Sequence, residues 1–132
     1  MRSPKTIGFI GLGQMGEPMC AFICKGDTPV LCYDRVPDRT PKGGTAADSL
    51  AEVVAGADTV FLSLPDGKIV NAVAEEIATL EGVAGKVIID MSTIGPAAAK
   101  QAAATIEGAG MTYVDAPVSG GRQSALKAAI TI

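Results

Sequence analysis

The stretch TIGFIGLGQMGEPM, residues 6–19, runs from an apolar, β-branched segment through three glycines into a helix-like pattern. Gly11, Gly13 and Gly16 have the spacing G-x-G-x-x-G, which by itself indicates only a tight turn. The spacing becomes informative when a strand precedes it and a helix follows it within a strand–helix–strand unit. The remainder of the chain must therefore show whether such units repeat.

Composition describes one compact domain over residues 1–132. The chain is 48% hydrophobic and 19% charged, which is typical of a globular domain with its own core. Its net charge is −3, and its basic residues are scattered singly, so we expect no nucleic-acid partner. It contains no histidine, which excludes a histidine base, a histidine triad and histidine metal ligands within these residues.

Three cysteines, Cys20, Cys24 and Cys32, form no C-x-x-C pair. Cys20 and Cys24 lie one helical turn apart, as metal ligands can, but small buried thiols commonly act as apolar packing, so we predict no metal site. An odd number of cysteines favours a reducing compartment, and we expect the cytoplasm. The sequence has no apolar run of about 18 residues and no signal-peptide pattern, so we expect no membrane association.

Short apolar segments alternate with longer alanine-rich ones along the whole chain. The apolar segments are continuous runs, typical of strands buried on both faces of a parallel sheet. Repeated units of this kind predict an α/β fold, a doubly wound and mainly parallel sheet covered by helices. The predicted strands are 5–10, 29–33, 59–65, 86–90 and 111–115, with a further start at 129–132. The predicted helices are 14–25, 49–57, 67–80 and 96–107.

Within that fold the three glycines have separate predicted roles. Gly11 allows the sharp turn after the first strand, Gly13 lets a pyrophosphate approach the bare backbone, and Gly16 lets the helix lie close to the strand. The positive end of the helix dipole and the free N–H groups would then bind the anion. These N–H groups belong to Leu12, Gly13, Gln14 and Met15.

Asp34 ends the second predicted strand, about 20 residues beyond the glycines, where a dinucleotide-binding domain places an acidic residue. Its carboxylate would accept hydrogen bonds from the ribose hydroxyls and repel a 2′-phosphate, which favours NAD over NADP. Arg35 favours NADP instead, because its guanidinium could pair with the 2′-phosphate. The alternative is that Asp34 and Arg35 are solvated loop charges.

Three blocks together resemble the β-hydroxyacid dehydrogenases, the family that contains 3-hydroxyisobutyrate dehydrogenase, tartronate semialdehyde reductase and 6-phosphogluconate dehydrogenase. They are GFIGLGQMGEPM at 8–19, DMST at 90–93 and DAPVSGG at 115–121. The resemblance implies a Rossmann-type domain in which Leu64 and Pro65 line the cofactor and Thr93 lies beside the nicotinamide ribose. It also implies a substrate loop made by Ser119, Gly120 and Gly121.

The family's catalytic lysine belongs to a later helix that leads into a second, all-helical domain, which also makes most of the dimer contact. The resemblance implies no catalytic residue within these 132 residues; Lys127 follows Gly121 too closely, and the segment 127–129 departs from the family pattern. We therefore expect cofactor binding with little turnover, and a possible homodimer. Alternatives are a stand-alone dinucleotide-binding module or a truncated non-catalytic fragment and, less favoured, an S-adenosylmethionine-dependent methyltransferase.

Overall fold

The computed structural model describes residues 6–117, and the predicted strand start at 129–132 lies outside that range. Six strands and four helices make up this part of the chain, and the second and third strands follow each other with no helix between them. The strands are β1 (Ile7–Ile10), β2 (Val30–Tyr33), β3 (Thr45–Ala46), β4 (Thr59–Leu62), β5 (Val87–Asp90) and β6 (Thr112–Asp115). The helices are α1 (Gly16–Ile23), α2 (Leu50–Gly56), α3 (Gly67–Ala78) and α4 (Pro96–Gly108).

All six strands form one sheet in the order β3-β2-β1-β4-β5-β6, and every neighbouring pair is parallel. This is the strand order of a doubly wound dinucleotide-binding fold, so the predicted fold class is confirmed. The chain leaves β3 at one edge and crosses to β4 on the other side of β1. The direction of winding therefore reverses between β1 and β4, where ligands bind in open α/β sheets.

The two-residue strand β3 is a difference from the sequence prediction, which placed no strand between residues 33 and 59. Its residues pair with Leu31 and Cys32 of β2 but are exposed. A strand this short, with exposed side chains, has no hydrophobic periodicity that sequence analysis could detect.

Local side-chain chemistry explains where two of the helices begin. The Ser49 hydroxyl accepts a hydrogen bond from the Glu52 N–H at the start of α2, and the Asp66 carboxylate accepts one from the Ile69 N–H at the start of α3. Each cap satisfies a backbone donor that has no partner within the helix. Helix α1 begins at Gly16, two residues later than predicted, because Gln14 still belongs to the turn.

The sheet separates two hydrophobic cores. Alternate residues of β4 face opposite sides, so Val60 and Leu62 pack in the larger core under α2, α3 and α4, whereas Phe61 contacts the smaller one under α1. Phe61 also stacks on Phe9, with ring centroids 6.1 Å apart. Both faces of the central strands are thus covered, as their continuous apolar sequences predicted. Between residues 6 and 117, the helices are too short or too polar to cross a bilayer.

Candidate functional site

Two of the three glycines are required by the fold itself. Gly11 directly follows β1 and has φ +103°, a left-handed conformation that disfavours other residues. A Cβ on Gly11 would overlap the carbonyl oxygen of Ser63, and a Cβ on Gly16 would overlap the carbonyl oxygen of Gly11. The first turn of α1 therefore lies directly against the chain as it leaves β1, as the spacing predicted.

Gly13 differs from both. A Cβ added to Gly13 meets no described atom within 4 Å, and its φ lies outside the left-handed range. Neither packing nor backbone conformation therefore requires glycine at this position. A side chain at this position would occupy open space at the start of α1. With glycine there, an approaching ligand can contact the bare backbone.

This space belongs to a cleft of about 550 Å³ at the carboxyl ends of β1, β2 and β4. A cleft of this size is in the range that binds small molecules and cofactors. It brings together eight of the ten residues predicted to bind the cofactor. They are Gly11, Gly13, Gln14, Met15, Gly16, Asp34, Leu64 and Pro65.

Asp34 lies where β2 ends and connects two parts of the cleft. One carboxylate oxygen accepts a hydrogen bond from the Leu12 N–H at 2.7 Å, and the other accepts one from the Val36 N–H at 2.8 Å. The side chain is only 12% exposed, so Asp34 is not a solvated loop charge. Since each carboxylate oxygen has a second lone pair, the group can still accept bonds from a ligand.

The same hydrogen bond corrects the prediction made for Leu12. Its N–H donates to Asp34, so it is not one of the free donors of the anion cradle, and its side chain is buried in the smaller core. The bond to this carboxylate is charge-assisted and therefore stronger than a bond to a neutral acceptor. The cradle role of Gly13, Gln14 and Met15 stays a prediction.

Arg39 is a cleft residue that the sequence analysis missed. Its guanidinium lies 3.6 Å from a carboxylate oxygen of Asp34, and both Arg39 and Arg35 line the cleft. The loop reverses at Asp38, whose φ of +66° is left-handed, and this turn brings Arg39 back toward the end of β2. The Pro-Asp pair at 37–38 was the available signal, since such pairs favour turns.

A buried hydrogen-bond network supports the other side of the cleft. Ser92, 3% exposed, accepts a hydrogen bond from the Leu64 N–H at 2.8 Å, while its own N–H donates to Asp90. Asp90 is fully buried and also accepts a 2.6 Å bond from the Tyr113 hydroxyl. The network joins the segments that follow β4 and β5 to strand β6, and so positions Leu64 in the cleft.

Burial, reinforced by the hydrogen bond to Asp90, raises the pKa of Tyr113 well above its ordinary value of 10. The phenol therefore keeps its proton and acts as a donor to Asp90 throughout the neutral range. Sequence analysis noted the block at 90–93 only as a point of family resemblance and assigned Tyr113 no role.

Two sets of predicted site residues are not part of this cleft. Thr93 is exposed in the loop after β5 and does not line it, although it follows a strand that ends at the same edge of the sheet. Ser119, Gly120 and Gly121, the predicted substrate loop, lie outside the described residues.

Comparison with known proteins matches residues 6–132 to the family described as the NAD binding domain of 6-phosphogluconate dehydrogenase. The chain is 37% identical to 2-(hydroxymethyl)glutarate dehydrogenase of Eubacterium barkeri, over all of this chain and 46% of that protein. It is 40% identical to mitochondrial 3-hydroxyisobutyrate dehydrogenase of Mus musculus, over 92% of this chain and 38% of that protein.

Among solved structures, 3-hydroxyisobutyrate dehydrogenase of Mycobacterium tuberculosis with L-serine superposes with a TM-score of 0.88. The two chains are 34% identical over 97% of this chain and 45% of that one. The chain thus spans less than half the length of the relatives it matches. The family match favours a dinucleotide over S-adenosylmethionine as the ligand of the cleft.

Proposed function

Because this chain belongs to the family described as the NAD binding domain of 6-phosphogluconate dehydrogenase, we propose that it binds NAD, in preference to NADP, in the cleft beside Gly13 and Asp34. Family membership supports a nicotinamide dinucleotide, and the cleft residues favour NAD over NADP. The observation that carries the proposal is Gly13, a glycine that packing and conformation do not require. A pyrophosphate bound beside Gly13 would require glycine at this position, because a side chain would prevent its close approach to the backbone.

An acidic protein needs such local geometry to bind a doubly charged linker. The net charge of −3 provides no general attraction for phosphate, so the anion must be held by backbone donors and the start of α1. At that point the N–H groups of Gly13, Gln14 and Met15 would face the pyrophosphate.

The preference for NAD rests on Asp34. Its carboxylate is held by the Leu12 and Val36 amides, so it is already oriented before any ligand arrives. Hydrogen bonds from ribose hydroxyls to a carboxylate contribute about 1.5–3 kcal/mol each. A 2′-phosphate in the same place would face a fixed negative charge, and Arg39 is already paired with Asp34 instead of free to bind it.

In the whole protein, we propose hydride transfer between the nicotinamide and a small 3-hydroxy acid similar to 3-hydroxyisobutyrate. The cofactor supplies the hydride chemistry, while these residues bind it and orient it. Ser119, Gly120 and Gly121 are proposed to hold the substrate, and Thr93 the nicotinamide ribose. The proton-transferring lysine implied by the family is expected elsewhere in the whole protein. This chain alone should therefore oxidise the hydroxy acid roughly 10²–10⁴-fold more slowly than the whole protein, or not at all.

The cytoplasm is the proposed location, because all three cysteines are free thiols in the folded chain, as expected in a reducing compartment.

The test is to titrate this chain with NADH and with NADPH and to measure binding from the fluorescence of the nucleotide. The parent chain should bind NADH more tightly than NADPH. Asp34→Asn should lower the affinity for NADH by about 10-fold or more and reduce the ratio of NADH affinity to NADPH affinity. Asp38→Asn is the matched control, since it removes the same charge from an exposed position in the same loop and asparagine tolerates its left-handed φ.

Thermal melts of both variants separate a loss of binding from a loss of folding. Tighter binding of NADPH by the parent chain, or an unchanged preference in Asp34→Asn, would contradict the NAD proposal. Absence of binding by either nucleotide would contradict the cofactor site itself.

A further inference from the structure

The structure brings all three cysteines of the chain together at a place outside the cleft. Cys20 is in α1, Cys24 caps the end of that helix, and Cys32 is in β2. Their sulfur atoms all lie within 4.8 Å of one another, with Cys20 3.4 Å from Cys32 and 4.0 Å from Cys24. These three residues are called the thiol cluster below.

The sulfur separations suit ligands that share one metal ion. Two thiolates on a tetrahedral zinc lie about 3.8 Å apart, because each Zn–S bond is about 2.3 Å. The separations in the thiol cluster, from 3.4 Å to at most 4.8 Å, bracket that value. A disulfide would explain the approach of two sulfurs but not the convergence of the third.

Burial and access are also appropriate. Cys20 and Cys32 are fully buried among apolar residues of the smaller core, whereas Cys24 is partly exposed. A site of this kind keeps two sulfur ligands away from water, and Cys24 leaves one side from which an ion and a further exogenous ligand can enter.

A glycine on the opposing loop is an independent observation. A Cβ on Gly44 would lie 2.8 Å from the Cys32 sulfur and 3.1 Å from the Cys24 sulfur. Any side chain at this position would therefore fill the space beside two of the three sulfurs. Glycine leaves that space free, next to the atoms that would bind the ion.

Contrary to the sequence-based prediction of no metal site, we propose that Cys20, Cys24 and Cys32 bind one soft, thiolate-preferring cation of the Zn²⁺ class, with a fourth position for an exogenous ligand. Thiolate ligands select soft and borderline cations of this kind. On binding, three S–H bonds give way to three sulfur–metal bonds, and the protons pass to the solvent. Neither the metal nor sulfur changes oxidation state.

The proposed site links two elements that also form the cleft. Helix α1 begins at Gly16 in the cleft, and β2 leads directly to Asp34. An ion held between α1 and β2 would fix these elements relative to each other, and should raise the melting temperature of the chain because it binds the folded state preferentially.

The experiment uses the full chain, purified with a non-thiol reductant and stripped with a chelator. Titration with Zn²⁺, read by native mass spectrometry and by competition with a chromophoric chelator, should give a 1:1 complex. Cys24→Ser is the key variant, because this residue is the partly exposed member of the thiol cluster and its replacement should leave the core intact. We expect Cys24→Ser to lower the affinity for Zn²⁺ more than about 100-fold, because replacing residues that only hydrogen-bond to metal ligands already lowers metal affinity by about 10–100-fold.

Met19→Leu is the matched control. It removes a sulfur atom from the same helix with little change in volume, and Met19 is not part of the thiol cluster, so Zn²⁺ affinity should be unchanged. In the parent chain, Zn²⁺ should also protect Cys24 from alkylation, which peptide mass spectrometry measures without any substitution.

Failure to form a 1:1 complex under reducing conditions would overturn the proposal. So would parent-like affinity in Cys24→Ser, an equal loss in Met19→Leu, or alkylation of Cys24 at the same rate with and without Zn²⁺.

Discussion

Replacing Gly13 with alanine tests whether glycine at this position is needed for nucleotide binding and not for folding. In Gly13→Ala the new methyl group meets no protein atom within 4 Å, and the residue keeps a φ that alanine tolerates. The free energy of unfolding should therefore be unchanged or higher by about 0.4–1 kcal/mol, because alanine lowers the entropy of the unfolded chain.

Binding should change in the opposite direction. The methyl group would occupy the space through which a pyrophosphate approaches the backbone, and loss of one charge-assisted hydrogen bond costs about 1.5–3 kcal/mol. Since about 1.4 kcal/mol is a factor of ten, the affinity for NADH should fall roughly 10- to 150-fold. The assay combines NADH fluorescence titration with urea unfolding of the same preparations.

Two other glycine substitutions make the result specific. Gly16→Ala should lose about 1–3 kcal/mol or more of stability, because its Cβ would overlap the carbonyl oxygen of Gly11. Gly108→Ala, at the last residue of α4 with open space around it, should leave NADH affinity unchanged. Parent-like affinity in Gly13→Ala would refute the reasoning, as would a loss of stability as large as that in Gly16→Ala.

Two further predictions concern the buried network. Ser92→Ala leaves the Leu64 N–H without its acceptor at a partly buried position, so urea unfolding should show a loss of about 1–3 kcal/mol; a loss below about 0.5 kcal/mol would contradict the role given to this bond. Because the folded-state pKa of Tyr113 is raised, its contribution to stability is complete below pH 10 and is lost as the pH rises beyond that value. Tyr113→Phe should therefore lower the free energy of unfolding at pH 7 and reduce its decline between about pH 9 and 11; equal slopes in Tyr113→Phe and the parent would contradict the bond to Asp90.

Much of the cleft could be predicted from the sequence. The glycines at 11, 13 and 16 and the acidic residue at 34 follow strands, and strand ends are recognisable from apolar runs bounded by turn residues. Parallel strands place their carboxyl ends at one edge, so residues that follow different strands could be expected to meet there. The prediction for Leu12 was wrong in detail because its amide has a competing acceptor from another strand, Asp34.

The roles that sequence analysis missed depend on a loop conformation for Arg39 and on a contact between distant segments for Ser92. Arg39 reaches Asp34 only because the loop reverses at Asp38. Ser92 bonds to an amide that follows a different strand, and no local pattern encodes that contact.

By itself, the sequence determined the fold class and the position of the first turn, because continuous apolar runs, the alternation of short and long segments and the glycine spacing are local properties of the chain. Only the tertiary structure decided which side chains meet across elements. Cys20 and Cys24 are visible as one turn of a helix, but the third sulfur comes from β2, and α1 packs against that strand only because of the strand order. Contacts of this kind depend on the path of the whole chain, which no short stretch of sequence contains.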